Sequence, residues 1–221
     1  MYNKTLTVIL VVIVVAIVGL VGYLGFELFQ KNNSNKKAAD FVGSMIEEKD
    51  TTDNTTYNIS ENNPLDNIPT EETSNTTTGN TTIQRKKYEG YYVDGAIQIP
   101  KTSVSYPVLE KVTKTSLEKS VAVLYGPGLN EPGNTVISGH NYRNGQFFSN
   151  NKKLEVGDKI YITGVDGGRV TYTVYQKFET TEDDTSYMTR DTNGAREISL
   201  TTCTDDGNKR LILLAKADLD S

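Results

Sequence analysis

The chain has 221 residues and a formal net charge of −5, enough length for one membrane segment and one domain of ordinary size. The acidic excess argues against a nucleic-acid binder, which needs a basic face. One cysteine, Cys203, excludes an intramolecular disulfide, and one histidine with scattered carboxylates makes no ligand-spaced metal cluster.

Residues 5–29 are almost wholly apolar, with Glu27 as their only charge. About 20 such residues in a helix cross the hydrocarbon core. The run is too long for a signal peptide and no A-x-A pattern follows, so it reads as an uncleaved anchor with residues 1–4 before it. Residues 30–87 read as a tether. Within it, "KNNSNKKAADFVGSMIEEKD" can form one short amphipathic helix, and 51–82 is an Asn/Thr-rich stretch with too little apolar surface to order itself. Counted by charge, Lys31, Lys36 and Lys37 outweigh Lys4 and the amino terminus, which would leave the C-terminal side in the cytoplasm.

From residue 88 to residue 221 the texture is that of a β-domain. Eight β-rich runs fall at 91–99, 104–109, 121–125, 135–139, 159–163, 169–178, 197–202 and 210–217. Val170, Tyr172 and Val174 alternate with Thr171, Thr173 and Tyr175, the period of a half-buried strand. Asp166-Gly167-Gly168 marks a hairpin turn. Such spacing predicts a barrel or a sandwich with short helices, one of them near "FFSNNKKLEVGD".

Three residues attract chemistry. Cys203 ends one run and Arg210 opens the next, across the loop Asp205-Asp206-Gly207-Asn208. In a symmetric hairpin they face each other with Cβ atoms roughly 5 Å apart. The guanidinium can then hold a thiolate or an oxyanion, or it can cap the loop aspartates instead. A lone cysteine is more often a small buried hydrophobe, but this one sits among Thr201, Thr202, Thr204, Asp205 and Asp206. A cysteine nucleophile needs a proton acceptor that later donates to the leaving amine, and His140 is the only histidine.

These residues lie in "ISGH" ending at His140, "SLTTC" ending at Cys203 and "KRLILLA" containing Arg210. In that order, behind an N-terminal apolar segment and with "IQIPKTSVSYPVL" upstream, they resemble the sortases, membrane-anchored cysteine transpeptidases, over about residues 90–217. Ser199 departs from the family's T-L-x-T-C. The resemblance implies an all-β fold, a closed eight-stranded barrel after one transmembrane helix and a disordered tether. It implies an LPXTG-like sorting signal on surface proteins as substrate, and a cell-wall precursor or pilin amine as acceptor. Cys203 would be the nucleophile, His140 the acid/base, Arg210 the oxyanion and substrate ligand, and Thr202 a substrate-side hydrogen-bonding residue. The segment 179–196 would border the groove. It also implies that the domain faces outward, against the charge count.

The short interval between Phe178 and Ile198 leaves no room for the long helix of class B. No Asp-Pro-aromatic lid motif stands before Tyr91 and no second span follows Arg210, unlike class C, so class A or D is expected. Glu179, Glu182, Asp183, Asp184 and Asp191 could bind calcium as some class A enzymes do; a solvated acidic loop is the preferred reading, with no cofactor. Two rivals remain: a cysteine peptidase that mainly hydrolyses, and a non-catalytic anchored β-domain with an inert Cys203.

Overall fold

A computed structural model describes residues 4–52 and 86–219. It opens with one helix, α1 (Lys4–Thr52). The strands are β1 (Lys87–Tyr88), β2 (Tyr91–Ile99), β3 (Val104–Leu109), β4 (Val121–Tyr125), β5 (Gly133–Ser138), β6 (Lys159–Gly164), β7 (Arg169–Thr180), β8 (Arg196–Cys203) and β9 (Arg210–Ala217). A single helical turn, α2 (Lys114–Leu117), precedes β4, and one turn of 3-10 helix covers Asn151–Lys153 within the segment expected to hold a short helix. α2 begins with a capping box in which Thr113 and Ser116 exchange side-chain and backbone hydrogen bonds.

The eight expected runs are β2 to β9, and they close into a barrel. Around it the order is β2-β3-β4-β5-β8-β9-β7-β6, and β6 pairs back onto β2. Closure removes the exposed sheet edges that would otherwise invite pairing with other chains. The pairs β3–β4 and β5–β8 are parallel. The predicted hairpin joins β6 to β7, with Gly167 at φ 76° and Asp166 Oδ1 accepting from the Gly168 amide. Ile97, Ile137, Ile162, Tyr172, Ile198, Leu200 and Leu213 fill the interior. A smaller cluster of Val136, Tyr187, Ile212 and Leu214 lies apart from it. Along β5 and β9 its members alternate with the core residues Ile137, Leu213 and Ala215, so it marks the outer face of the barrel.

Residues 30–52 correct the expectation of a tether beginning at residue 30. The helix runs unbroken through them, and the short amphipathic helix is its continuation. Ala38, Val42 and Met45 are buried in the barrel's core cluster, with Phe41 and Ile46 against it. Their spacing is a helical stripe. Phe41 meets Tyr88 edge-on at 5.2 Å, and Lys37 pairs with Glu89. Packing therefore holds helical a polar stretch, rich in asparagine, whose intrinsic propensity is low. Lys87, the last residue of the expected tether, and Tyr88, the first of the expected domain, form β1 and pair with β2. Most of the Asn/Thr-rich stretch, residues 53–82, lies outside the described residues, as do residues 83–85 after it.

Candidate active site

β8 and β9 form the hairpin that the sequence suggests, in the register that sets Cys203 opposite Arg210. The turn between them is closed by Thr204 and Lys209, the Thr204 amide donating to the Lys209 carbonyl at 3.0 Å. Arg210 donates from one guanidinium nitrogen to Cys203 Sγ at 2.6 Å and from the other to Glu182 Oε2 at 3.3 Å. The alternative role of capping the loop aspartates does not occur: Asp205 is taken by Lys152 and Asn141, and Asp206 by Thr204 and Asn208. The Lys152 and Asn141 hydrogen bonds hold the Asp205 carboxyl below the usual carboxylate range. Cys203 is half-buried, unlike the fully buried Leu200 on the same strand.

His140 reaches the same place by a different route. β5 runs parallel to β8, with Ser138 beside Thr201. The pairing continues past the strand end: the Gly139 amide donates to the Thr201 carbonyl at 3.2 Å. Thr202 Oγ1 donates to the Gly139 carbonyl at 2.7 Å, and Asn141 Nδ2 to the Cys203 carbonyl at 2.9 Å. Residues 139–141 are thus laced to 201–203, which brings His140 and Cys203 to the ends of adjacent chains. Gly139 is required there, because a Cβ would lie 2.8 Å from both the Phe148 ring and Val121 Cγ1. That is the physical content of the glycine in "ISGH".

The His140 imidazole stacks on Tyr142 with ring centroids 4.8 Å apart. Among the described residues it makes no hydrogen bond. Burial pushes its pKa below the ordinary imidazole value, partly opposed by the Glu118 carboxylate. A depressed value keeps the ring neutral and able to accept a proton near neutral pH.

Thr202, expected on the substrate side, is buried and spends its hydroxyl proton on Gly139. A cleft of about 450 Å³ opens beside Cys203, walled by Asn141, Phe148, Lys177, Glu179 and Leu211. The connection from β7 to β8 lies over the outer face of the barrel. Tyr187 and Met188 give their carbonyls to Asn134 Nδ2 at 3.0 and 2.9 Å. Arg190 anchors its far end, donating to Glu197 and Tyr175, to the Tyr187 carbonyl, and to Ser199 Oγ at 2.7 Å. Ser199 in turn donates to Asn134 Oδ1 at 2.9 Å, so the residue that departs from T-L-x-T-C is a junction of this network.

The acidic residues of the connection are dispersed. Glu182 meets Arg210, Glu179 meets Lys209, Asp184 accepts from Thr180 and Ser186, and Asp191 from the Asn193 amide. Among the described residues no three His, Cys, Asp or Glu side chains converge on a point that could hold a metal ion.

A family model for the sortase domain matches residues 97–218, more than half of the chain. The chain belongs to the sortase family. Sortase D of Bacillus subtilis (strain 168) is 32% identical over 134 residues, covering 57% of this sortase and 64% of that relative, so the match spans just under two thirds of the curated protein. A sortase D5 transpeptidase of Clostridium perfringens has a similar structure, with TM-score 0.52 and 30% identity over 57% of this chain and 79% of its own. A lid mutant of sortase A from Corynebacterium diphtheriae gives TM-score 0.53 and 30% identity over 58% of this chain and 72% of its own. Similar structures thus include classes A and D, and the class D suggestion agrees with the Bacillus relative. No helix interrupts this sortase between β7 and β8, in line with the reading against class B.

The sequence left Asn141, Glu118 and Tyr142 without a role. Asn141 is adjacent to His140 and was detectable by that alone. Glu118 carried no such signal, since only the barrel brings it near the imidazole.

Proposed function

We propose that this sortase is a cysteine transpeptidase that cleaves an LPXTG-like sorting signal and joins the upstream protein to an amine. The observation that carries this reading is the contact of Arg210 with Cys203 Sγ, beside the backbone that bears His140. The neutral His140 imidazole takes the Cys203 thiol proton, and the resulting thiolate attacks the threonine carbonyl carbon of the signal. A C–S bond forms, and the carbonyl oxygen becomes an oxyanion to which the Arg210 guanidinium can donate from its present place. His140, carrying the proton, gives it to the leaving amine as the C–N bond breaks, which leaves a thioester. An incoming amine then loses a proton to His140 and attacks the same carbon. The new C–N bond forms and the C–S bond breaks, restoring the thiolate. Water in place of the amine gives hydrolysis.

Thr202 acts from below, by fixing Gly139 and so the chain that carries His140. The connection between β7 and β8 borders the peptide, and its acidic residues act as a solvated loop without calcium. The acceptor is an amine of a cell-wall precursor or a pilin. The apolar part of α1 is long enough to cross a bilayer, and in this reading it anchors the protein once, with the barrel outside where sorting signals are met. The amine and the signal sequence are identified by mass analysis of products, using the full chain in detergent with a panel of sorting peptides and amines. Ligated product with an LPXTG-like peptide is expected. No cleavage of any such peptide, with Cys203 inert to alkylation, would leave a non-catalytic β-domain.

A further inference from the structure

We propose that α1 positions the catalytic imidazole, through a relay of side chains from Asn35 to Tyr106, Phe147, Tyr142 and His140. The inference rests on the reading of His140 as the acid/base.

The relay starts on the helix face that the barrel buries. Asn35 lies one turn before Ala38, on the stripe continued by Val42 and Met45, so its side chain faces β3. Tyr106, on β3, is 4% exposed, and its hydroxyl donates to Asn35 Oδ1 at 2.6 Å. A phenol has one proton. With that proton committed to Asn35, the oxygen lone pairs are turned to the Phe147 amide, which donates to them at 3.1 Å.

Phe147 needs this hold. Its φ is +48°, the left-handed region, where a bulky residue persists only if its surroundings over-determine it. It is 3% exposed, and a β-bridge to Asn141 closes the loop that begins at His140. From there the relay is aromatic. Tyr106 and Phe147 lie 5.1 Å apart, Phe147 and Tyr142 5.7 Å, and Tyr142 and His140 4.8 Å. The helix also comes close to the loop: a Cβ added at Gly145 would stand 3.6 Å from Lys31 Nζ. Movement of α1 therefore reaches the ring that covers His140. The charged and titratable groups around the imidazole are Glu118 beside α2, Tyr142 in its own loop, and Cys203 and Arg210 on the neighbouring hairpin.

Asn35 and Tyr106 are positioning residues, since neither touches a reacting atom. The test uses the full chain in detergent micelles, with Asn35→Ala, Asn35→Asp and Tyr106→Phe. His140 is the only histidine, so its ring signals titrate unambiguously by NMR with no substrate present. In Asn35→Ala the imidazole midpoint is expected to rise toward the ordinary value, as the covering Tyr142 ring loosens. With a sorting peptide, kcat should fall about 10-fold at nearly unchanged KM, short of the ~10²-fold that a misplaced group can cost. Tyr106→Phe should move both readings further. Asn35→Asp keeps the acceptor oxygen and should resemble the wild type. If Asn35→Ala and Tyr106→Phe lower the melting temperature but leave the histidine titration and kcat where they were, the contact is merely structural and the proposal is overturned. If the wild type cleaves no sorting peptide while the titration still moves, the transpeptidase reading fails and the positioning role stands.

Discussion

The two halves of the site are built differently. Cys203 and Arg210 sit opposite each other because antiparallel register puts them there, seven residues apart in sequence and held by a closed turn. His140 stands on a loop that includes two non-glycine residues at positive φ, Arg143 and Phe147, and is held by contacts from β3 and β8, with α1 bonded to β3 behind it. The first half is rigid by local geometry. The second is rigid only while distant parts of the chain stay in place. A site assembled this way joins a cysteine fixed by the sheet to a histidine whose setting depends on the fold around it.

The largest expected effect tests whether the halves act together. Cys203→Ala and His140→Ala should each remove activity by on the order of 10⁴-fold or more, with the double variant scarcely worse, because residues serving one step are non-additive. Measured kcat/KM values that multiply in the double variant would separate the two halves.

Replacing Arg210 sharpens the rigid half. Arg210→Lys keeps the charge but lacks the fixed fork that reaches both Cys203 and Glu182. A loss of about 10²–10³ in kcat/KM is expected, the effect of removing one oxyanion donor. Near-wild-type turnover would reduce the role of Arg210 to charge. The rate of Cys203 alkylation in the same variants tells a geometric effect from an electrostatic one.

A third variant probes the support behind the strand that carries Cys203. The Arg190–Glu197 pair is 2.7 Å long, with side chains 18% and 10% exposed. Arg190→Ala leaves a largely buried carboxylate uncompensated and should cost about 3–5 kcal/mol in urea unfolding. It should also release the connection between β7 and β8. Arg190→Met with Glu197→Gln should cost clearly less, since no charge is stranded. Equal losses in both would assign the effect to packing.

The smallest effect concerns pH and the half that carries His140. His140 has a folded-state pKa below its ordinary value of about 6.5, with burial as the main cause. As pH falls through 6.5 the unfolded chain takes up the proton first, so folding stability declines until the folded value is passed. The urea midpoint should therefore drop modestly between pH 7.5 and pH 5.5, and His140→Gln should flatten that drop. An unchanged slope would mean that the folded loop does not shield the ring.

Much of the fold is readable from the sequence. The eight runs became the eight barrel strands, because period-2 alternation and turn residues act within a few neighbours. The facing of Cys203 and Arg210 was readable for the same reason, as a hairpin register counted out from its turn. The reading erred at α1, where a tether was expected from residue 30. The short amphipathic helix expected there is continuous with the apolar segment, and burial of Ala38, Val42 and Met45 docks it on the barrel instead of leaving it in a tether.

Sequence alone determined the strand pattern, the apolar segment, and the presence of one cysteine, one histidine and one arginine at the head of the last strand. Tertiary structure decided which of these meet and what holds them. It set β5 parallel to β8, so that residues 139–141 lie beside 201–203. It gave Ser199 and Arg190 to an outer-face network, and carried Asn35 to Tyr106 across 71 positions of sequence. The physical reason is range: propensity and alternation are fixed by near neighbours, whereas a parallel pairing or a buried hydrogen bond between remote residues exists only once the chain has closed.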